Sequence, residues 1–218
     1  MREFVSHTRP GTGVYSKGSE RILSILEAAR DLLMRDGYHR LTMRKIAQTC
    51  GITVGNLNYY YATKANLLKN LLEMVIQGYT QEFDRIRSAH PDAPRQQLAG
   101  IIRFILDDLG TQETTRFFPE LWALANHDEH AAALMEDLYS EARAVFIDLI
   151  GQINPTLNRR QIRQTALFLS ASLEGHTMFV GYEKPWQKQI RPLKNIAVKG
   201  LVELVETLRP EDFNAPSI

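Results

Sequence analysis

Between Thr42 and Lys64 the chain gathers side chains suited to meeting a polyanion. A threonine at a helix start can cap the first turn with its oxygen, while neighbouring backbone N–H groups still favour a phosphate. Thr42 and Thr53 hold such positions. Asn56 carries an amide able to pair two-pronged with the N6/N7 edge of adenine. Thr53-Val54-Gly55-Asn56 is a run of short side chains, which lets a helix seat deeply in a groove. Arg44, Lys45 and Lys64 add positive charge. Tyr59, Tyr60 and Tyr61 are consecutive, so at 3.6 residues per turn they point in different directions. At least one is expected in the core, and at least one can donate its hydroxyl to phosphate.

The net charge of the 218-residue chain, +1, hides an asymmetry. Residues 1–69 hold eleven Lys/Arg against five Asp/Glu, a net of +6, whereas the remainder holds fifteen against twenty, a net of −5. From Gly37 to Leu72 there is no acid at all. A basic front end on a mildly acidic body points to a polyanion met by the front end alone.

The elements that must position these groups are helical. Ser19 is expected to cap a first helix with Ile22, Leu26, Ala29 and Leu33 on one stripe, ended by Gly37. Thr42 caps a short helix to Cys50, Gly51-Ile52 forms a turn, and Thr53 caps another short helix to about Tyr61. A long helix is predicted from Thr63 to about Ala89, broken by Pro91-Asp92-Ala93-Pro94. Helices follow at about 95–110, 115–126, 129–152, 159–183 and 192–208, with Pro192 in the first turn of the last. The fold class is all-α, about nine helices. Three domains are expected: a flexible arm over 1–18, a three-helix head over 19–66 and a larger helical body over 67–218. Two short helices joined by a Gly-containing turn make a helix-turn-helix, whose second helix lies in the major groove while the first crosses the phosphate backbone.

At these residues the chain resembles the tetracycline-repressor (TetR) family of bacterial regulators. The likeness is carried by Leu41-Thr42-Met43-Arg44-Lys45-Ile46-Ala47, by Gly51-Ile52-Thr53-Val54-Gly55-Asn56-Leu57-Asn58-Tyr59-Tyr60-Tyr61, and by Thr63-Lys64 with Leu67. It spans about residues 19–69. The resemblance implies homodimers with a DNA-binding head and a helical body that binds a small molecule. It also implies that Thr42, Tyr59 and Lys64 hold phosphates while Thr53 to Asn56 reach bases; Arg44, Lys45, Asn58 and Tyr60 complete the candidate DNA-facing set. The family usually has Tyr where Asn58 stands, His-Phe where Tyr60-Tyr61 stand, and an acid where Ala65 stands.

The body offers little chemistry of its own. It has no phosphate-cradling Gly loop, no Gly-x-Ser-x-Gly elbow and no His-Glu-x-x-His, and none of the six histidines follows a Glu by three residues. His127-Asp128-Glu129-His130 is the one metal-like cluster, bunched at a helix start where its acids suit the dipole. No catalytic residue, metal or cofactor is expected. Phe104, Phe117, Phe118, Trp122, Tyr139 and Phe146, with Asp107, Asp108, Glu120, Glu174 and His176 nearby in the sequence, give the apolar-with-few-polar mixture of a small-molecule site. Phe104, Asp108, Phe118, Trp122, Tyr139, Phe146, Glu174 and His176 are the candidate effector contacts, for a mostly apolar or amphipathic ligand.

The last two long helices are apolar on more than one face, which a monomer's surface does not satisfy. One stripe runs through Leu169 and Leu173, another through Phe168, Ala171, Gly175, Met178 and Phe179. On the following helix lie Ala197, Gly200 and Leu204. Leu169, Ala171, Leu173, Gly175, Met178, Ala197, Gly200 and Leu204 form the expected four-helix dimer interface.

The composition, 44% hydrophobic and 23% charged, suits a chain with a packed core. No apolar run of about 18 residues predicts a membrane span, and the polar N-terminus lacks a secretory apolar region. The single Cys50 forms no internal disulfide and is expected to pack as a small hydrophobe, so a reduced, cytoplasmic setting is expected. The sequence reads best as a repressor that binds palindromic double-stranded operator DNA and is released by a small effector. A helical ligand carrier, an all-α enzyme, or a protein-interaction module with weak or lost DNA binding are the alternatives.

Overall fold

The computed structural model describes residues 13–214. Ten α-helices run in chain order: α1 Gly13–Asp36, α2 Met43–Thr49, α3 Val54–Tyr60, α4 Lys64–Ala89, α5 Pro94–Leu109, α6 Gln112–Ala125, α7 Glu129–Ile153, α8 Arg159–Glu174, α9 His176–Val180 and α10 Ile190–Thr207. Short 3-10 turns cover Tyr38–Arg40, Gln187–Gln189 and Pro210–Phe213, and there is no strand among the described residues. The fold class is all-α, as the periodicity predicts.

Two expectations are corrected. The helix assigned to begin at Ser19 begins at Gly13, so Ser19 lies inside α1. A cap needs free first-turn N–H groups, and a turn and more of helix already precedes this serine. Of the arm expected over 1–18, residues 1–12 lie outside the described part and 13–18 are helical. The single helix expected over 159–183 is two. Gly175 ends α8 and starts α9, and the Nδ1 of His176 takes the Ser172 carbonyl at 2.8 Å. A glycine with a competing side-chain donor beside it weakens the helical ladder at that point.

The chain divides into two compact units. One comprises the residues up to Gly78 together with Arg116–Leu138; the other comprises Tyr79–Thr115 and the chain from Tyr139 onward. Helices α4, α6 and α7 contribute residues to both.

In the first unit α1, α2 and α3 bury Ile25, Leu26, Ala29, Leu33, Ile46 and Leu57, with Leu67 and Leu71 from α4 also buried. Ile22, expected on the same stripe, is partly open at 39% exposure. Helices α2 and α3 have seven residues each. That is too short to persist alone, so caps and tertiary packing must hold them. Leu57 is the only fully buried residue of α3. Its truncation to alanine is expected to cost about 2–5 kcal/mol and to loosen the whole recognition segment. Gly37 (φ 77°) and Gly51 (φ 65°) turn the chain in the left-handed region that favours glycine.

The second unit is built on α5. Leu98, Ile101, Ile102 and Leu106 pack with Leu149 and Ile150 of α7, Ala166, Leu169 and Leu173 of α8, and Val198, Val202 and Val205 of α10. Asn154, buried in the turn before α8, donates to the carbonyls of Val205 (2.9 Å) and Leu208 (2.8 Å), fixing the end of α10. Asn158 and Gln161 close a capping box at the start of α8.

Candidate functional site

Three threonines open the helices of the head. Thr42 Oγ1 accepts from the Lys45 N–H at 3.2 Å, Thr53 Oγ1 from Asn56 at 3.1 Å, and Thr63 Oγ1 from Asn66 at 3.1 Å. Each hydroxyl keeps its own hydrogen as a donor, and Thr42 and Thr53 are exposed. On α3, Thr53, Val54, Gly55, Asn56 and Asn58 are exposed while Leu57 is buried. A Cβ built on Gly55 would meet nothing closer than Thr53 Oγ1 at 3.9 Å, so nothing within the protein requires this residue to lack a side chain.

The three tyrosines separate as helix geometry demands. Tyr59 is 84% exposed. Tyr60 is half-buried and packs edge-on to Tyr59 with ring centroids 5.2 Å apart. Tyr61 is buried, and burial raises its hydroxyl pKa above the ordinary tyrosine value.

The cations are not equivalent. Arg44 is exposed. Lys45 pairs with Asp36 at 3.3 Å, and Asp36 also takes Arg35 Nε at 2.9 Å; the Arg35 hydrogen bond, with help from Lys45, holds its carboxyl down at about 2. Lys64 donates to the Tyr38 carbonyl at 2.8 Å and sits 3.4 Å from the centre of the Tyr38 ring. Burial lowers its pKa from the usual lysine value. The N–H of Tyr38 in turn donates to Glu120 Oε2 at 3.2 Å. Glu120, grouped by sequence with the effector residues, thus braces the turn after α1.

The candidate effector residues fall into two groups. Phe118 and Trp122 belong to the first unit and pack on each other with centroids 6.4 Å apart. The others belong to the second unit. Asp108 is buried, and its Oδ2 accepts from the Tyr79 hydroxyl and from Thr114 Oγ1, the latter at 2.7 Å. Tyr79, Phe83 and Phe104 form a ring cluster, with centroids 5.8 Å apart for Tyr79–Phe104 and 6.0 Å for Phe83–Phe104. Burial, with Asp108 beside it, pushes the Tyr79 hydroxyl well above its ordinary pKa. Tyr139 donates to Glu174. Burial lifts the Glu174 carboxyl to about 7 despite that bond, and Asp108 adds to the rise. Phe146 is a core residue. Asp107 pairs with Lys194 at the surface. In the His127–His130 cluster Asp128 caps α7, accepting from Ala131 N–H at 2.9 Å. Among the described residues no three His, Cys, Asp or Glu groups come together as metal ligands.

Residues 25–71 match the family described as bacterial regulatory proteins, tetR family, and residues 94–191 match the C-terminal region of BetI-type transcriptional repressors. The chain belongs to the TetR family of bacterial transcriptional regulators. It is 27% identical over 140 residues to the HTH-type transcriptional regulator BetI of Stenotrophomonas maltophilia, covering 64% of this chain and 70% of that one. The fold is shared with a TetR-family regulator from Rhodococcus sp., at TM-score 0.70 and 20% identity, over 87% of this chain and 100% of that one. A regulator from Saccharomonospora viridis solved in complex with choline superposes at TM-score 0.59 and 22% identity, over 87% of this chain and 97% of that one.

The second unit of this TetR-family chain also carries a broad apolar surface. Ala171, Gly175 and Gly200 are exposed, as is Met178 at 67%, and a Cβ on Gly200 would meet nothing within 4 Å. Leu169 and Leu173 are instead buried in the core, since they face α5, and Ala197 and Leu204 are half-buried. Phe168, Phe179 and Ile196 are exposed on the same helices, and Trp186 is exposed in the turn between α9 and α10. Tyr38, Tyr79 and Thr114 are not singled out for the site by the sequence, and Glu120 is grouped there with the effector residues and not with the turn it braces, because these contacts join residues on different elements. Among the described residues no helix is long and apolar enough to cross a membrane.

Proposed function

We propose that the protein is a homodimeric repressor that reads palindromic operator DNA through α2 and α3 and releases it when a small, mostly apolar or amphipathic effector binds the helical body. The observation that carries the DNA reading is the outer face of α3. It presents Thr53, Val54, Gly55, Asn56 and Tyr59 to solvent in a stretch of chain without an acid. In this reading Thr42, Tyr59, Arg44 and Lys64 meet phosphates, Thr53 to Asn56 meet base edges, and Lys45, Asn58 and Tyr60 flank them. The apolar surface of α8 to α10 supplies the contact between protomers, with half-sites about 34 Å apart. The choline held by the Saccharomonospora viridis regulator supports a small-molecule ligand for this fold.

Helix α4 supplies the coupling. It carries Lys64 at its first position and Tyr79, bonded to Asp108, fifteen residues further along the chain. An effector that alters the surroundings of Asp108 therefore acts on the helix that starts beside the DNA. The effector must prefer the state that does not fit DNA, because equal affinity for both states shifts nothing. The test is a screen of small molecules for release of the protein from a labelled operator, followed by titration of the releasing compound with and without DNA. Coupling of about 1–3 kcal/mol gives a 5–150-fold change, equal in both directions. Identical ligand affinities in the two titrations refute the arrangement.

A further inference from the structure

One acid reaches the head from a distant part of the sequence. From Gly37 to Leu72 the chain has none, yet the fold brings Glu120 of α6 against the turn after α1. Both belong to the first unit. The segment that carries Glu120 is anchored by its neighbours Phe117, Phe118 and Leu121, all buried. Its Oε2 accepts from the Tyr38 N–H at 3.2 Å. The same oxygen lies 3.0 Å from where a Cβ on Gly37 would stand, so a side chain there would push the carboxylate away. Gly37 also holds φ 77°, which glycine adopts without strain. The glycine thus both turns the chain and makes room for the acid.

The carbonyl of Tyr38 accepts twice, from the Leu41 N–H at 3.1 Å and from Lys64 Nζ at 2.8 Å. The Tyr38 ring lies under the same ammonium. A single residue therefore joins an acid on α6 to a cation on α4. Among the described residues Glu120 forms no ion pair with Lys64. Its negative charge opposes the approach of a polyanion. Whatever Glu120 adds to DNA binding must come through its bond to Tyr38 and not from its charge.

A lysine carries large rotamer freedom, and a side chain ordered before binding loses less when its partner arrives. Lys64 is half-buried and ordered by the carbonyl and ring of Tyr38, whose N–H is held in turn by a charge-assisted hydrogen bond. We infer that Glu120 is a positioning residue for DNA binding: through the Tyr38 N–H it sets the carbonyl and the ring that aim Lys64 at phosphate. The inference rests on the reading of Lys64 as a phosphate contact, and its test separates the two.

The test measures equilibrium binding of the full chain to a random-sequence duplex for Glu120→Ala and Glu120→Gln, each alone and combined with Lys64→Ala. Both substitutions remove the same charge, and only glutamine keeps an oxygen that can accept from Tyr38. An acid that acts by charge alone predicts equal, slightly tighter binding for the two. Positioning predicts that Glu120→Gln binds at least as well as the parent, and Glu120→Ala about threefold or more weakly than Glu120→Gln. Combined with Lys64→Ala, that difference should vanish, because no ammonium is left to position. A merely structural role would carry it over undiminished. Lys64→Ala binding as tightly as the parent would overturn the phosphate reading, and this inference with it. A loss in Lys64→Ala joined to equal binding by the two Glu120 variants, or to a difference that persists without Lys64, would overturn the positioning alone.

Discussion

The ammonium of Lys64 lies 2.8 Å from the carbonyl oxygen of Tyr38 and 3.4 Å from the centre of its ring. The first residue of α4 is thereby tied to the turn that follows α1, and Glu120 holds the same turn from the other side through the Tyr38 N–H. A lysine has three donors, so a carbonyl contact leaves two for phosphate. Its position is set by the fold, whereas a solvated lysine would have to be ordered on binding.

Lys64→Ala should therefore produce two separable losses. Binding to all DNA sequences should weaken, with the slope of log affinity against log salt falling by about one unit. The protein should also lose about 1 kcal/mol of stability, from the charged hydrogen bond and the ring contact. Salt titrations and melting curves on the same variant check both.

Asn56→Ala should behave differently. Asn56 is exposed near the start of α3, and only its backbone N–H serves the cap on Thr53. Removing its amide is expected to cost about 1–3 kcal/mol on the specific site and little on random DNA. Equal losses on both, measured by competition binding, would remove Asn56 from base reading.

A charge placed on the apolar surface of α8 to α10 should block assembly. Ala171→Glu and Gly200→Glu both alter exposed positions and spare the core. Sedimentation should show monomers that keep the helical spectrum and lose specific DNA binding. Dimers of unchanged affinity would place the interface elsewhere.

Glu174 gives a pH dependence whose sign follows from its raised pKa. The folded protein keeps this proton up to about 7, while an unfolded chain loses it near 4.5. Its ionisation therefore costs nothing below about pH 4.5; the cost grows as pH rises from there to about 7 and stays level above it. Glu174→Gln is expected to stabilise the ligand-free protein at pH 8 by up to about 3 kcal/mol and to change little at pH 4. Denaturant titrations at the two values check it; a variant less stable at pH 8 contradicts it.

The head was legible because its signals are local. Thr42, Thr53, Thr63 and Gly37 mark helix ends by their own chemistry, and Leu57 follows from spacing. Ser19 does not by itself mark a start, because a serine, though favoured at caps, is also tolerated inside a helix that begins earlier. The break at Gly175 depends on His176 taking a carbonyl, which periodicity does not register. Both stripes of α8 are apolar, so the sequence places Leu169 and Leu173 in the interface with their exposed neighbours, and only the packing of α5 decides which stripe is core. Glu120 and Tyr38 are 82 residues apart, and no local pattern announces such a contact. The acids of the second unit were noted as candidates, but their donors, Tyr79 on α4 and Thr114 on α6, emerge only from the fold.

The central claim, that this TetR-family head reads a specific DNA site as a dimer, is tested most directly by a mobility shift on the DNA flanking the protein's own gene. Measured near physiological salt against random competitor, the account predicts two protomers per site and a preference of at least about 1,000-fold. Binding that does not distinguish the flanking DNA from random sequence, or no binding at any salt concentration, would contradict it.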